Sequence, residues 1–235
     1  MKRDKSIFQF KQFEVKHNAT ALKVTTDAVV FGSWVNFSGA DTILDIGTGT
    51  GILALMAAQQ NEKAIIMAVE VDEQAAEEAT YNFTQSKWSS RLSLIHYDFN
   101  AFSSDGKFDL IISNPPYFQN ALLSGNSKLA IAKHSIFLTH NDLLRNAAPL
   151  LHENGRAFFV LPFVASAQFC HIAEKYGLYC NQIAEVASVK EKSPYLVFLM
   201  FEKNRATLLK EHLYLFEQNG TISAEYQKLA ADFYL

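Results

Sequence analysis

Asp45 stands inside the run Leu44-Asp45-Ile46-Gly47-Thr48-Gly49-Thr50-Gly51, which ends a predicted strand and opens a predicted helix. Glycines at this spacing let the backbone turn sharply and approach a ligand closely. The spacing is G-x-G-x-G, whereas a dinucleotide loop reads G-x-G-x-x-G. A carboxylate just before the loop suits a cationic amino group better than a pyrophosphate. Glu70 closes the next predicted strand, 19 residues after Gly51. There an ionised carboxylate, with two acceptor oxygens, can take both hydroxyls of a ribose. Asp98 follows the next strand, in Tyr97-Asp98-Phe99. Its carboxylate can accept from an adenine amine while Phe99 packs on the ring. The bland alternatives are an ordinary turn at Gly47–Gly51, a surface acid at Glu70 and a turn cap at Asp98.

A second constellation is Ser113-Asn114-Pro115-Pro116-Tyr117-Phe118, after the predicted strand Phe108–Ser113. Ligands of open α/β sheets sit outside the carboxyl ends of strands. Two prolines fix the loop and remove two N–H donors. What remains is a row of acceptors, the Asn114 side-chain oxygen and the Pro115 carbonyl, with Pro116, Tyr117 and Phe118 to line a substrate. This chemistry fits an amine conjugated to a ring or an amide, whose lone pair is delocalised and poorly nucleophilic. Two acceptors can bind both N–H groups and favour a pyramidal nitrogen, while Tyr117 stacks on the ring. Orientation and electrostatics would then supply the catalysis, with Asn114, Pro115 and Tyr117 as its residues. Neither a nucleophilic side chain nor a metal is needed.

These loops must be held by strands, and the hydrophobic pattern supplies them. Predicted strands are Thr42–Ile46, Ala64–Glu70, Leu92–His96, Phe108–Ser113, Ala157–Leu161 and Tyr195–Glu202, with another inside Tyr179–Val189. Continuous apolar runs such as Leu110-Ile111-Ile112 belong to strands covered on both faces. Predicted helices are Ile52–Gln60, Glu73–Ser86, Asn141–His152 stopping at Asn154-Gly155, and Ala165–Tyr176 stopping at Gly177. This alternation predicts an α/β fold, a doubly wound, mostly parallel, seven-stranded sheet whose last two strands form an antiparallel edge hairpin. Ahead of it, Phe8–Val15 alternates with period two, as a short strand or hairpin does. Thr25-Thr26-Asp27 offers helix caps for a helix to about Trp34. Residues 1–40 thus read as a hairpin-and-helix extension and 41–235 as the cofactor-binding core. The tail Ile222–Leu235 has the pattern of an amphipathic helix.

Nearly half of the 235 residues are hydrophobic, including nineteen Phe and nine Tyr, so a large core is expected and disorder is not. Cys170 and Cys180 form no motif and are expected to be reduced thiols of a cytoplasmic protein. No run approaches the length of a membrane span. The net charge is −3, yet residues 1–24 hold Lys2, Arg3, Lys5, Lys11, Lys16 and Lys23 against Asp4 and Glu14. A basic segment interleaved with Phe8, Phe10 and Phe13 can hold phosphates and a splayed RNA loop, and Lys11 and Lys16 are its candidate contacts. A solvated tail is the alternative.

The three carboxylates at strand ends resemble those of class I S-adenosylmethionine methyltransferases. The chain ends carry a finer likeness. Phe10-Lys11-Gln12-Phe13, His17 to Asp27, Gly32-Ser33-Trp34, Asn114 to Phe118, Ser223-Ala224-Glu225-Tyr226 and Phe233-Tyr234-Leu235 resemble the bacterial tRNA valine adenine-37 N6-methyltransferase family over nearly the whole chain. The resemblance implies S-adenosylmethionine as donor, S-adenosylhomocysteine as product, no metal, and tRNA as partner, with a monomer expected. It puts Asp45, Gly47 and Gly49 at the methionine part of the cofactor, Glu70 at the ribose and Asp98 and Phe99 at the adenine, with Thr48 and Val71 also expected to touch the cofactor. Asn114 to Tyr117 would lie at the target base, Asn114 facing the cofactor as well. Thr26, with Asp27, would close over the methionine end. Lys133 and His134 would contact substrate, with solvated surface as their alternative. Two other readings stay open. A glutamine N5-methyltransferase acting on release factors shares the Asn-Pro-Pro-Tyr chemistry but carries a helical domain where this chain has a hairpin. A non-catalytic RNA-binding protein on the same fold would not need Asp45, Glu70 and the loop intact.

Overall fold

A computed structural model describes residues 6–17, 24–115 and 138–234. Its centre is an eight-stranded sheet made of β3 (Thr42–Ile46), β4 (Ile65–Glu70), β5 (Leu92–His96), β6 (Phe108–Ser113), β7 (Leu151–Pro162), β8 (Tyr179–Ala187), β9 (Leu196–Glu202) and β10 (Leu209–Tyr214). Their order is β10-β8-β9-β7-β6-β3-β4-β5. β9 runs antiparallel to both its neighbours, and every other pairing is parallel. The carboxyl ends of β3 to β8 therefore lie along one edge, and β9 begins at that edge.

Side-chain alternation divides the core into two layers. Ile43, Leu110, Ile112, Phe158 and Val160 point into one layer, and Leu44, Ile46, Ile111, Phe159 and Leu161 into the other. The first is covered by α1 (Thr26–Trp34), α2 (Ile52–Gln60) and α3 (Glu73–Gln85), together with α6 (Ala224–Leu229). The second is covered by α4 (His140–Leu150) and α5 (Ser166–Lys175). Burial on both faces explains the near-continuous apolar strands. Thr25 accepts the Ala28 N–H at 3.2 Å and so is the cap of α1. Asp72, Thr139 and Ser223 cap α3, α4 and α6 in the same way. No helix among the described residues is long and apolar enough to cross a membrane.

Four expectations change. The sheet has eight strands, because β10 pairs in parallel with β8 at the edge, outside the antiparallel pair β8–β9. The helix expected to stop at Asn154-Gly155 ends at Leu150, and β7 starts at once. Asn154 and Gly155 lie where the register of β7 against β6 shifts, from Phe108↔Leu151 to Leu110↔Arg156. A Cβ on Gly155 would meet the Leu151 side chain at 2.8 Å, so glycine permits this bulge. The tail helix is short, Ala224–Leu229.

The fourth correction concerns the N-terminal aromatics. β1 (Ile7–Gln9) and β2 (Glu14–Lys16) form the expected hairpin. Phe10 and Phe13, however, are buried, stacked on each other at 4.5 Å. Phe10 lies 6.3 Å from the Tyr234 ring and Phe13 lies 5.8 Å from that of Trp88. They clamp the hairpin to the body and are not available to an RNA base. Lys11 is drawn into the same clamp, its Nζ donating to the Ala231 carbonyl at 2.6 Å.

Candidate functional site

Strand register assembles the site. Ile46 of β3 stands opposite Val69 of β4 and Ser113 of β6, and Glu70 stands opposite His96 of β5. Neighbouring strands lie about 4.8 Å apart, so the residues following them share one short ledge. The Ser113 hydroxyl donates to the Ile46 carbonyl at 2.8 Å, which ties the strand bearing Asn114 to the strand bearing the glycine loop.

Gly47, Gly49 and Gly51 all have positive φ, at 68°, 58° and 83°. Three left-handed residues within five explain the G-x-G-x-G spacing. The loop is tied back to β4 by the Gly47 and Thr48 N–H groups, which donate to the Val69 carbonyl at 2.8 and 3.2 Å. A Cβ on Gly51 would come within 2.5 Å of the Phe83 ring. Gly51→Ala therefore adds strain at positive φ to a clash. We expect it to destabilise the protein by about 2–5 kcal/mol, summing typical costs of left-handed strain and overpacking. Urea unfolding checks this, and a midpoint within error of wild type would reject it.

Asp45 is fully buried. Its Oδ2 accepts the Thr48 hydroxyl at 2.6 Å, while Oδ1 has no hydrogen-bond partner. Burial pushes its pKa up to about 7, against the pull of the Thr48 hydroxyl and, more weakly, of the Ala54 N–H, and with a small push from the charge of Glu70. An orphaned, reluctantly ionised carboxylate fits a cationic group. Glu70 is buried and accepts three backbone N–H groups, from Gly49 at 2.8 Å, Val71 at 2.9 Å and Asp72 at 3.0 Å. The carboxylate expected to bind ribose thus also fixes the loop, and its orientation is set before any ligand arrives. Asp98 accepts the Asn100 N–H at 2.8 Å, so it is a turn cap whatever else it does. The Phe99 ring is buried and stacked on Phe102 at 5.8 Å. It is a wall behind Asp98 and not an open face for a purine. The open faces are Val71 and Tyr97, both exposed at the ends of β4 and β5. Of these two, Tyr97 escaped sequence reasoning, because an exposed aromatic at a strand end has no motif.

Thr26 lies exposed in the first turn of α1. Next to it, Asp27 accepts the Tyr195 hydroxyl at 2.9 Å, which places that helix start beside the segment entering β9, at the carboxyl edge. Asn114 and Pro115 follow β6 directly, Pro115 buried and Asn114 partly so. Pro116, Tyr117, Phe118, Lys133 and His134 lie outside the described residues. Among the described residues no group of three or more His, Cys, Asp or Glu side chains could hold a metal ion.

Sequence reasoning also missed Asn82, buried on α3. Its side chain accepts the Lys16 N–H at 2.9 Å and donates to the Lys16 carbonyl at 3.0 Å and to the Thr50 carbonyl at 2.8 Å. One amide thus joins the hairpin to the glycine loop. Lys16 itself sits with Nζ 4.8 Å from the Tyr81 ring centroid. We expect Asn82→Ala to weaken cofactor binding about 5- to 150-fold without touching the cofactor, since a buried group left unpaired costs about 1–3 kcal/mol. Isothermal titration calorimetry measures it, and unchanged affinity would remove Asn82 from loop positioning.

Residues 30–186 match the family model described as the methyltransferase small domain. The chain is 38% identical to the tRNA1(Val) (adenine(37)-N6)-methyltransferase of Bacteroides thetaiotaomicron over 97% of both chains. It is 38% identical to the enzyme of the same name from Vibrio vulnificus, over 97% of this chain and 95% of that one. Among solved structures it resembles a predicted O-methyltransferase from Agrobacterium tumefaciens with a TM-score of 0.69. That match has 17% identity and covers 88% of this chain and 96% of the other. At that identity the likeness concerns the fold alone.

Proposed function

The chain belongs to the tRNA1(Val) (adenine(37)-N6)-methyltransferase family, and from that premise we propose that it transfers a methyl group from S-adenosylmethionine to N6 of adenosine 37 in a valine tRNA. The observation that carries the donor half is Asp45, with its buried, unpartnered Oδ1 beside a glycine loop. When bound, S-adenosylmethionine supplies an electrophilic methyl group on a sulfonium.

This chain's residues do the rest by position. Asp45 takes the α-ammonium. The first-turn N–H groups of α2, which follow Gly51, suit the carboxylate. The ribose hydroxyls meet the outward lone pairs of Glu70, and Val71 and Tyr97 flank the purine. Glu70, already held by three N–H groups, loses little freedom on binding. On the acceptor side, the Asn114 side-chain oxygen and the Pro115 carbonyl take the two N–H groups of the adenine amine. That arrangement turns the nitrogen lone pair toward the methyl group and stabilises the charge developing on nitrogen, whose surplus proton then passes to water to leave neutral N6-methyladenosine. Tyr117 stacks on the base. Extruding a base costs least in a single-stranded loop, which suits a purine beside the anticodon.

Mass spectrometry of nucleosides from valine tRNA incubated with the protein and donor tests the assignment. The expected product is one N6-methyladenosine per tRNA, located at position 37 by nuclease mapping. Methylation of a release-factor glutamine with every tRNA adenine unmodified would replace the acceptor and keep only the donor half.

A further inference from the structure

The N-terminal clamp removes Phe10 and Phe13 from the base contacts expected of them, so the RNA bases need another surface. The connection from β8 to β9, residues 188–195, lies at the carboxyl edge of the sheet. Its last residue, Tyr195, accepts the Phe163 N–H through its carbonyl at 3.0 Å, just beyond the end of β7. β7 is the immediate neighbour of β6, which leads into Asn114. Tyr195 therefore stands about two strand spacings, or roughly 10 Å, across the sheet from the acceptor loop.

Three features of this connection fit a nucleic acid. A turn closed by the Lys192 N–H and the Val189 carbonyl, at 3.1 Å, sets Lys190 and Glu191 at its tip. Lys190 and Lys192 are exposed and form no ion pair with any described residue. The intervening acid, Glu191, is engaged by the Gln218 amide at 2.6 Å, on the side of the connection that follows β10. Finally, Tyr195 is 41% exposed while its hydroxyl is held by Asp27 at 2.9 Å, and the neighbouring Val164 is 85% exposed. An aromatic ring fixed at one end, beside an open apolar side chain and two free cations, is the combination that holds single-stranded RNA: charge for phosphates and a platform for a base.

We propose that Lys190 and Lys192 bind the phosphates of the tRNA anticodon loop and that Tyr195 stacks on a base flanking the methylated adenosine. The proposal rests on the tRNA reading above. The test uses the full chain and an unmodified valine tRNA transcript, with filter binding across a salt series and methylation followed by nucleoside mass spectrometry. K190E/K192E should weaken tRNA binding at least tenfold near 0.1 M salt. It should also reduce the slope of log affinity against log salt by about 1.5–2, the loss of two phosphate contacts. Y195A should lose about tenfold in tRNA affinity and Y195F much less, because stacking needs the ring and not the hydroxyl. K190E/K192E should keep wild-type affinity for S-adenosylmethionine, any change of that affinity in Y195A should be matched by Y195F, which also loses the Asp27 bond, and the loss of tRNA binding should appear in the KM for tRNA. K11E/K16E is the comparison: a loss of salt slope there, with none in K190E/K192E, would place the phosphates on the N-terminal hairpin and overturn the proposal. Wild-type affinity and slope in K190E/K192E, with methylation by the parent protein intact, would overturn the proposal and leave the function standing. Equal losses of cofactor and tRNA binding would also overturn it, as a folding effect. A parent protein that modifies no tRNA adenine removes both readings.

Discussion

Replacing Asn114 with alanine is expected to lower single-turnover methylation by about 10²–10³, the scale of losing one preorganised polar group aimed at developing charge. Asn114 follows β6, and β6 is locked to β3 by the Ser113 hydroxyl on the Ile46 carbonyl at 2.8 Å. The side chain is thus delivered from a rigid strand end, beside the donor loop. Its acceptor matters most when the amine nitrogen turns pyramidal and its N–H groups grow more acidic. An interaction that strengthens toward the transition state shows in the rate and not in ground-state binding. Donor affinity by calorimetry should consequently stay within about threefold of wild type, less than one kcal/mol. Asn114→Asp is the informative companion, since it keeps an acceptor but adds a charge. Near-wild-type single-turnover rates in Asn114→Ala would end the acceptor role.

The second large effect is a pH dependence carried by Asp45. Its folded pKa stands at about 7 against an ordinary value of 3.8, because burial penalises the charged form. The folded state therefore holds an extra proton between about pH 4 and pH 7, and stability falls as pH rises through that window. At 1.36 kcal/mol per pKa unit, the shift corresponds to about 4 kcal/mol of lost stability in the ligand-free protein above pH 7. Asp45→Asn should be free of this loss, so the ligand-free variant should unfold at a higher temperature than wild type at pH 8 and differ little at pH 4. The donor's ammonium, placed against Oδ1, would hold Asp45 ionised. Binding would then release a proton below pH 7. Donor affinity should rise by nearly tenfold per pH unit from pH 5 to 6.5 and level off above 7. Asp45→Asn should bind the donor weakly and with no such slope. Calorimetry in buffers of different ionisation enthalpy counts the proton directly. A flat affinity between pH 5 and 7 would show that the cation pairs elsewhere.

Local chemistry made the donor loop legible. Three left-handed residues within five admit little but glycine, so Gly47, Gly49 and Gly51 announce themselves in one dimension. The core strands were equally plain, because burial on both faces demands continuous apolar runs, and caps such as Thr25 need only a few adjacent residues. β10 left no such mark. Its first four residues, Leu209 to His212, are exposed, and it is a strand only because the free edge of β8 supplies its partners. Asn154-Gly155 reads as a helix stop in isolation, and it is a bulge because β6 captures the chain from Leu151 onward. A period-two aromatic hairpin has one apolar face by sequence, but only the presence of Trp88 and Tyr234 beneath it decided that this face is core and not an RNA platform. The same holds for Asn82 and Tyr195, which belong to no motif. Their roles depend on contacts 32 and 168 residues distant, with Thr50 and Asp27, and such pairings exist only once the chain has folded.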